Sequence, residues 1–330
     1  MLQELKPLLE NYNNDRWCKF VIISANTTDR AFCSGGDIKQ FASYHDKPGG
    51  VNPFIKNEYK IDYLIHTFSK PIISFVNGIV MGGGVGLSIH CQFRIISEKV
   101  LWAMPENQIG YFPDVGSNYF LSRLGSMGLY IGITGAKLKA KDLIYSKIAT
   151  HFIPSVEFDR VIDELVNDYS IENERQINFI LNKYRKTIPI DDECTLLKNK
   201  DSIDACFSKS VVSLQDILER LEDEKKFNLE WSNKTIEIIN NNCPMSTAVC
   251  FKAIQQATQM SIEDIFTMEI RIGTRLGVRN DIVEGVKRSV IDRTHKAKFS
   301  PATINDIDPD QVDKIFSPLN NPNDEFDINF

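Results

Sequence analysis

Two apolar runs in the first half of the chain constrain its fold more than any other feature. CKFVIIS, residues 18–24, and PIISFVNGIV, residues 71–80, are β-branched and nearly free of charge, which predicts buried strands. Each is followed by a loop of small residues and then by a helical pattern. Between them NEYKIDYLIHTF, residues 57–68, spaces Tyr59, Ile61, Leu64, Ile65 and Phe68 as a helix with one buried face does. Strands alternating with helices predict an α/β fold. Beyond residue 153 the strand signal nearly vanishes, and SVEFDRVIDELVND, VSLQDILERLEDEKKFNLEWSNKTIEIINNN and SIEDIFTMEIRIGTRLG read as amphipathic helices in series. The expected organisation is therefore an α/β core over 1–153 and a helical region over 154–330. EDEKK, residues 222–226, reads as a solvated helix face, and the tail NNPNDEFDINF as a loop or frayed end.

Composition narrows the classes of function. With 330 residues, 42% hydrophobic and 25% charged, the chain has the balance of a globular protein with a large core. A net charge of −6 argues against nucleic acid as the main partner, since phosphate neutralisation needs a basic face. No apolar run approaches the roughly 18 residues that span a bilayer, and the first residues lack a signal peptide's apolar stretch, so no membrane association and an intracellular location are expected. Seven cysteines, odd in number and without a C-x-x-C pair, point to neither a zinc site nor a disulfide framework.

Chemistry concentrates in three segments. AFCSGGDI, residues 31–38, and NGIVMGGGVGLSIH, residues 77–90, are glycine loops that each follow a strand; the second leads into the apolar helix GLSIHCQF, whose first N–H groups suit an anion or a developing oxyanion. A tight turn that needs glycine only for its backbone is the alternative. There is no G-K-[ST], Leu87 stands where the last glycine of G-x-G-x-x-G belongs, and His90 where a nucleophile elbow would close with glycine. P-loop, Rossmann and serine-hydrolase readings therefore fall away, and His90 and Cys91 read as packing residues. The third segment, MPENQIGYFPDVG, residues 104–116, carries Glu106 and Asp114 among apolar neighbours in a stretch too rich in Pro and Gly for one helix. Desolvation would raise both carboxyls toward the range useful for acid and base chemistry. Equally open is a helix cap at Glu106 and a turn start at Asp114.

Taken in order with GITGAKLKAKD and the late TMEIRIGTRLGVRNDIVEGVKRSVIDRTHKAKFSPA, these motifs resemble the enoyl-CoA hydratase/isomerase (crotonase) superfamily, and within it the 3-hydroxyisobutyryl-CoA hydrolases, over residues 2–300. The resemblance implies a crotonase-like fold of repeated β/β/α units with a helical C-terminal region. It implies an oxyanion hole made by the N–H groups of Ser34 and Gly83. Hydratases add water with two glutamates, the first two positions after the glycine triplet and the second matching Glu106; here the first position is Gly86. The hydrolase branch shares that gap and adds an aspartate matching Asp114. Glu106 and Asp114 are then the catalytic carboxylates of a thioester hydrolase, with Glu106 attacking directly or activating water, Asp114 orienting the attacking group or shuttling the proton, and Glu58 binding the substrate hydroxyl. Gly83, Glu58, Glu106 and Asp114 form the expected substrate-binding set. The implied reaction is hydrolysis of 3-hydroxyisobutyryl-CoA in valine catabolism, with no cofactor beyond the CoA of the substrate and no metal. The resemblance allows a homo-oligomer and a mitochondrial compartment, with the cytoplasm as the other option. An isomerase using Glu106 alone and a weakened acyl-CoA-binding relative are the competing readings. The family's opening β-hairpin and N-R-P loop are not spelled in these 330 residues, which begin in the helix QELKPLLENY: either the true start lies upstream, or one edge of the CoA site is lost and a weaker hydrolase is expected. Lys287, Arg288, Arg293, Lys296 and Lys298 are the candidate contacts to CoA phosphates.

Overall fold

The computed structural model describes residues 2–25, 30–47 and 49–327. The chain forms two compact units interleaved along the sequence: one is Met1–Gly35, Ile61–Ala103 and Lys137–Lys198, the other Gly36–Lys60, Met104–Ala136 and Asn199–Phe330.

The first unit holds all the described strands: β1 (Val21–Ser24), β2 (Ala31–Cys33), β3 (Ile72–Val76), β4 (Ile79–Met81), β5 (Phe93–Ile96), β6 (Leu101–Ala103) and β7 (His151–Phe152). They form two parallel sheets, ordered β1-β3-β5-β7 and β2-β4-β6. Consecutive strands thus alternate between sheets, and the chain winds forward by one strand in each at every repeat. The stretch 71–80, expected as one strand, is two. It breaks at Asn77-Gly78, where Gly78 has φ 88° and a Cβ would stand 2.3 Å from the Arg30 carbonyl oxygen. Only glycine makes that corner, and β4 leaves it for the other sheet.

Strand alternation sorts side chains onto two faces. Ile73 and Phe75 of β3 join Phe93, Ile95, Phe158, Val161 and Leu165 in one core cluster. Ile72 points the other way, into a cluster with Leu9, Ile61, Leu64 and Ile65, and with Leu87 on the helix Gly83–Ile89. Burying both faces is what parallel sheets require.

The second unit is helical. The helix Ile262–Leu276 starts on a capping box, in which Ser261 accepts the N–H of Asp264 and Asp264 reaches back to Ser261. Its buried stripe includes Ile265, Glu269, Ile272 and Leu276. Ser213 caps Leu214–Glu224 in a similar way, by accepting the Asp216 N–H. The tail is not frayed over its described part. Arg271 pairs with Glu325 at 2.9 Å, Asn52 donates to the Asp324 carbonyl at 3.0 Å, and Phe326 stacks on Phe266. Residues 328–330 of the expected loop lie outside the described residues.

Candidate active site

In the first unit the two glycine loops meet. β2 ends at Cys33 and delivers Ser34; β4 ends at Met81, and the helix begins at Gly83, three residues before the start expected from sequence. Gly84 lies so close to β2 that a Cβ would stand 2.0 Å from the Cys33 carbonyl oxygen, and a Cβ on Gly35 would stand 3.4 Å from the Gly83 nitrogen. Glycine is needed here for close approach. As first residue of the helix, Gly83 has an N–H with no acceptor inside it. Ser88 lies within the helix, its hydroxyl donating to the Gly84 and Val85 carbonyls, as a packing residue would. The gap at Gly86 is filled from the side: a Cβ there would stand 2.7 Å from both carboxylate oxygens of Asp62, which is 1% exposed.

The second unit gathers Glu58, Glu106 and Asp114. Glu106 opens the short 3-10 helix Glu106–Ile109 and is buried. Its neighbours fix the turn: Asn107 donates to the Gly132 and Ile133 carbonyls at 2.8 and 3.2 Å, and Arg288 donates to the Gln108 carbonyl at 2.6 Å. Glu106 Oε2 is buried with no hydrogen-bond partner among the described residues. Such an oxygen costs stability unless a ligand uses it. Pro105, not Glu106, holds the cap position of this turn, so the capping alternative fails.

Asp114 is also buried, and the Tyr59 hydroxyl donates to its Oδ2 at 2.8 Å. Its carbonyl accepts the Ser117 N–H at 2.9 Å, so it does open a turn as well. Burial pushes its carboxyl up to about 7, against the opposing pull of the Tyr59 hydroxyl. Glu106 is raised well above the ordinary carboxylate range by burial, then by the charges of Asp114 and Glu58. Glu58 is raised by burial and by Asp114. Three carboxyls that resist ionising together can hold and pass protons near neutral pH.

Sequence reasoning missed Tyr59, Tyr111 and Glu269. Tyr111 is buried beside Asp114, and Glu269 is fully buried with its carboxyl pushed up to about 8 by burial and by Asp114. A carboxylate on the apolar stripe of Ile262–Leu276 was the available signal. Arg288, expected near CoA phosphate, is instead committed to the Gln108 and Asn241 carbonyls and lies over the Phe299 ring. Lys287, Arg293, Lys296 and Lys298 are exposed. Among the described residues no cluster of His, Cys, Asp and Glu could hold a metal ion, and all seven cysteines are free thiols.

A family model described as enoyl-CoA hydratase/isomerase matches residues 1–316. The chain is 35% identical over 326 residues to the 3-hydroxyisobutyryl-CoA hydrolase, mitochondrial, of Gallus gallus, covering 97% of this chain and 83% of the relative. It is 34% identical to the probable 3-hydroxyisobutyryl-CoA hydrolase 3 of Arabidopsis thaliana, covering 96% and 84%. Among solved structures, a carnitinyl-CoA dehydratase from Mycobacterium thermoresistibile superposes with TM-score 0.88 at 26% identity, covering 99% of this chain and 91% of the other. An enoyl-CoA hydratase from Rhodobacter sphaeroides gives 0.85 at 27% identity with the same coverage. Two parallel sheets wound strand by strand, glycine loops in close approach and a buried carboxyl cluster accompany these matches, and the chain belongs to the enoyl-CoA hydratase/isomerase family.

Proposed function

We propose that this chain is a thioester hydrolase that converts 3-hydroxyisobutyryl-CoA and water to 3-hydroxyisobutyrate and CoA, a step of valine catabolism. The observation that carries the reading is the pairing of an unpartnered buried oxygen on Glu106 with a buried carboxyl on Asp114 that the Tyr59 hydroxyl holds and burial pushes up to about 7. Relatives named as hydrolases of this thioester, at about a third identity over nearly the whole chain, support it.

Asp114, which loses its proton before Glu106 does, takes the Glu106 proton as Glu106 attacks the thioester carbon, and passes that proton to the CoA sulfur as the C–S bond breaks. The ionised Asp114 then removes a proton from water, which opens the resulting anhydride and restores Glu106. For the thioester oxygen we propose the N–H groups of Ser34 and Gly83; one such donor is typically worth about 2.7 to 4 kcal/mol in the transition state. Glu58 bonds the 3-hydroxyl. No cofactor enters this scheme. The names of the relatives also favour a mitochondrial compartment, and no described helix is long and apolar enough to cross a membrane.

The test is a single turnover in 18O-labelled water with the purified protein, followed by mass analysis of peptides containing Glu106. Label in Glu106 after turnover supports attack by that residue. Label in the product alone, with no acyl group on Glu106 that hydroxylamine can trap during turnover, overturns it in favour of direct attack by water, and absence of cleavage overturns the hydrolase reading.

A further inference from the structure

Val115, a β-branched residue next to Asp114, has φ 55°, and Gly116 follows with φ 73°. Two successive left-handed residues are unfavourable for any chain that places valine at the first. Such a conformation persists where surrounding groups hold it, and here the groups are visible. Glu269 Oε2 accepts the Gly116 N–H at 2.7 Å, and its Oε1 accepts Asn118 Nδ2 at 2.8 Å. Asn118 Nδ2 also donates to the Pro113 carbonyl at 2.8 Å. The residues on both sides of the Asp114-Val115 pair are thereby tied to Glu269, Gly116 directly and Pro113 by way of Asn118. Glu269 and Asn118 are each 0% exposed.

We infer that Glu269 is a positioning residue for the reaction: it clamps the strained 113–116 turn so that Asp114 meets Tyr59 and the reacting groups in one orientation. The inference rests on the proton-shuttling role proposed for Asp114. A carboxyl suits the clamp because each of its oxygens keeps a lone pair to accept with, even when one carries the proton that burial favours, and both facing groups are donors. Glutamine would set its own N–H groups against one of those donors. Aspartate, shorter by one methylene, cannot reach both.

The experiment measures CoA release from 3-hydroxyisobutyryl-CoA by Glu269→Gln and Glu269→Asp, each alone and combined with Val115→Gly, with Asp114→Asn as reference. Glycine adopts φ 55° without strain, so it lessens what the clamp must oppose. Misplacing a catalytic group by about 1 Å can cost roughly 100-fold. The expected result is a kcat lowered roughly 10- to 100-fold in both single variants, a KM within about threefold of wild type, and recovery of at least about fivefold in kcat on adding Val115→Gly. A kcat within about twofold of wild type, or a loss that Val115→Gly does not relieve, overturns the positioning role. So does failure of all four variants to fold, which would make Glu269 a determinant of folding instead. Unchanged turnover in Asp114→Asn would instead overturn the role proposed for Asp114, so the two failures are distinguishable.

Discussion

Glu106 and Asp114 divide the chemistry by what surrounds each carboxyl: the first keeps an oxygen without a partner, the second is bound by Tyr59. Glu106→Gln keeps volume and removes the nucleophile, so cleavage should be lost while CoA binding, measured by calorimetry, stays within a few fold. Glu58 supplies selectivity. In wild type, 3-hydroxyisobutyryl-CoA should be preferred over isobutyryl-CoA by about 1 to 3 kcal/mol in kcat/KM, because half-buried Glu58, once covered by a substrate that gives it no donor, is penalised by that much. Glu58→Ala should remove most of the preference, and a wild type that does not discriminate would contradict the assignment. The pair Glu106 and Asp114 was legible as carboxylates in apolar company. The roles of Tyr59 and Glu269 were not, although a carboxylate on an apolar stripe marked Glu269, because what makes them matter is a contact across 55 and 153 positions of sequence.

At the scale of elements, the 3-10 turn Glu106–Ile109 works only if its ends are fixed, and Arg288 fixes one of them through Gln108. Arg288→Ala should lower stability by about 1.5 to 3 kcal/mol in denaturant unfolding, the range for hydrogen bonds to a charged group, and lower kcat more than it raises KM for the CoA thioester. A raised KM with unchanged kcat would return Arg288 to the phosphate-binding role that its basic neighbourhood suggested. Helices with strong apolar stripes were readable from spacing, as Ile262–Leu276 shows. The corner at Gly78 was not, since an unbroken apolar run fits one buried strand or two strands in different sheets equally well. The tail looked polar enough to fray, but its anchors, Asn52 and Arg271, are remote in sequence.

For the molecule as a whole, the buried carboxyls set a pH dependence of stability. Asp114, at about 7, and Glu269, at about 8, keep protons in the folded chain that the unfolded chain releases above about pH 4. With more protons bound when folded, stability is greatest at low pH within that window and falls as pH rises toward 7 to 8, by up to about 1.4 kcal/mol per pH unit for each retained proton. His151, held neutral by burial, acts in the opposite sense near its ordinary range, and surface carboxylates such as Glu98 and Asp191 have finished contributing by about pH 5. The melting temperature should therefore be lower at about pH 8 than at about pH 5.5, and the difference should shrink in Asp114→Asn; a rise toward pH 8 would contradict the cluster's raised titration. The central claim is thioester hydrolysis by that cluster, and its most direct measurement is the rate of free CoA release from 3-hydroxyisobutyryl-CoA by wild type and by Glu106→Gln side by side. Steady release by wild type and none above background by the variant is the predicted result; equal release by both, or none by a folded wild type that binds the thioester, would contradict it.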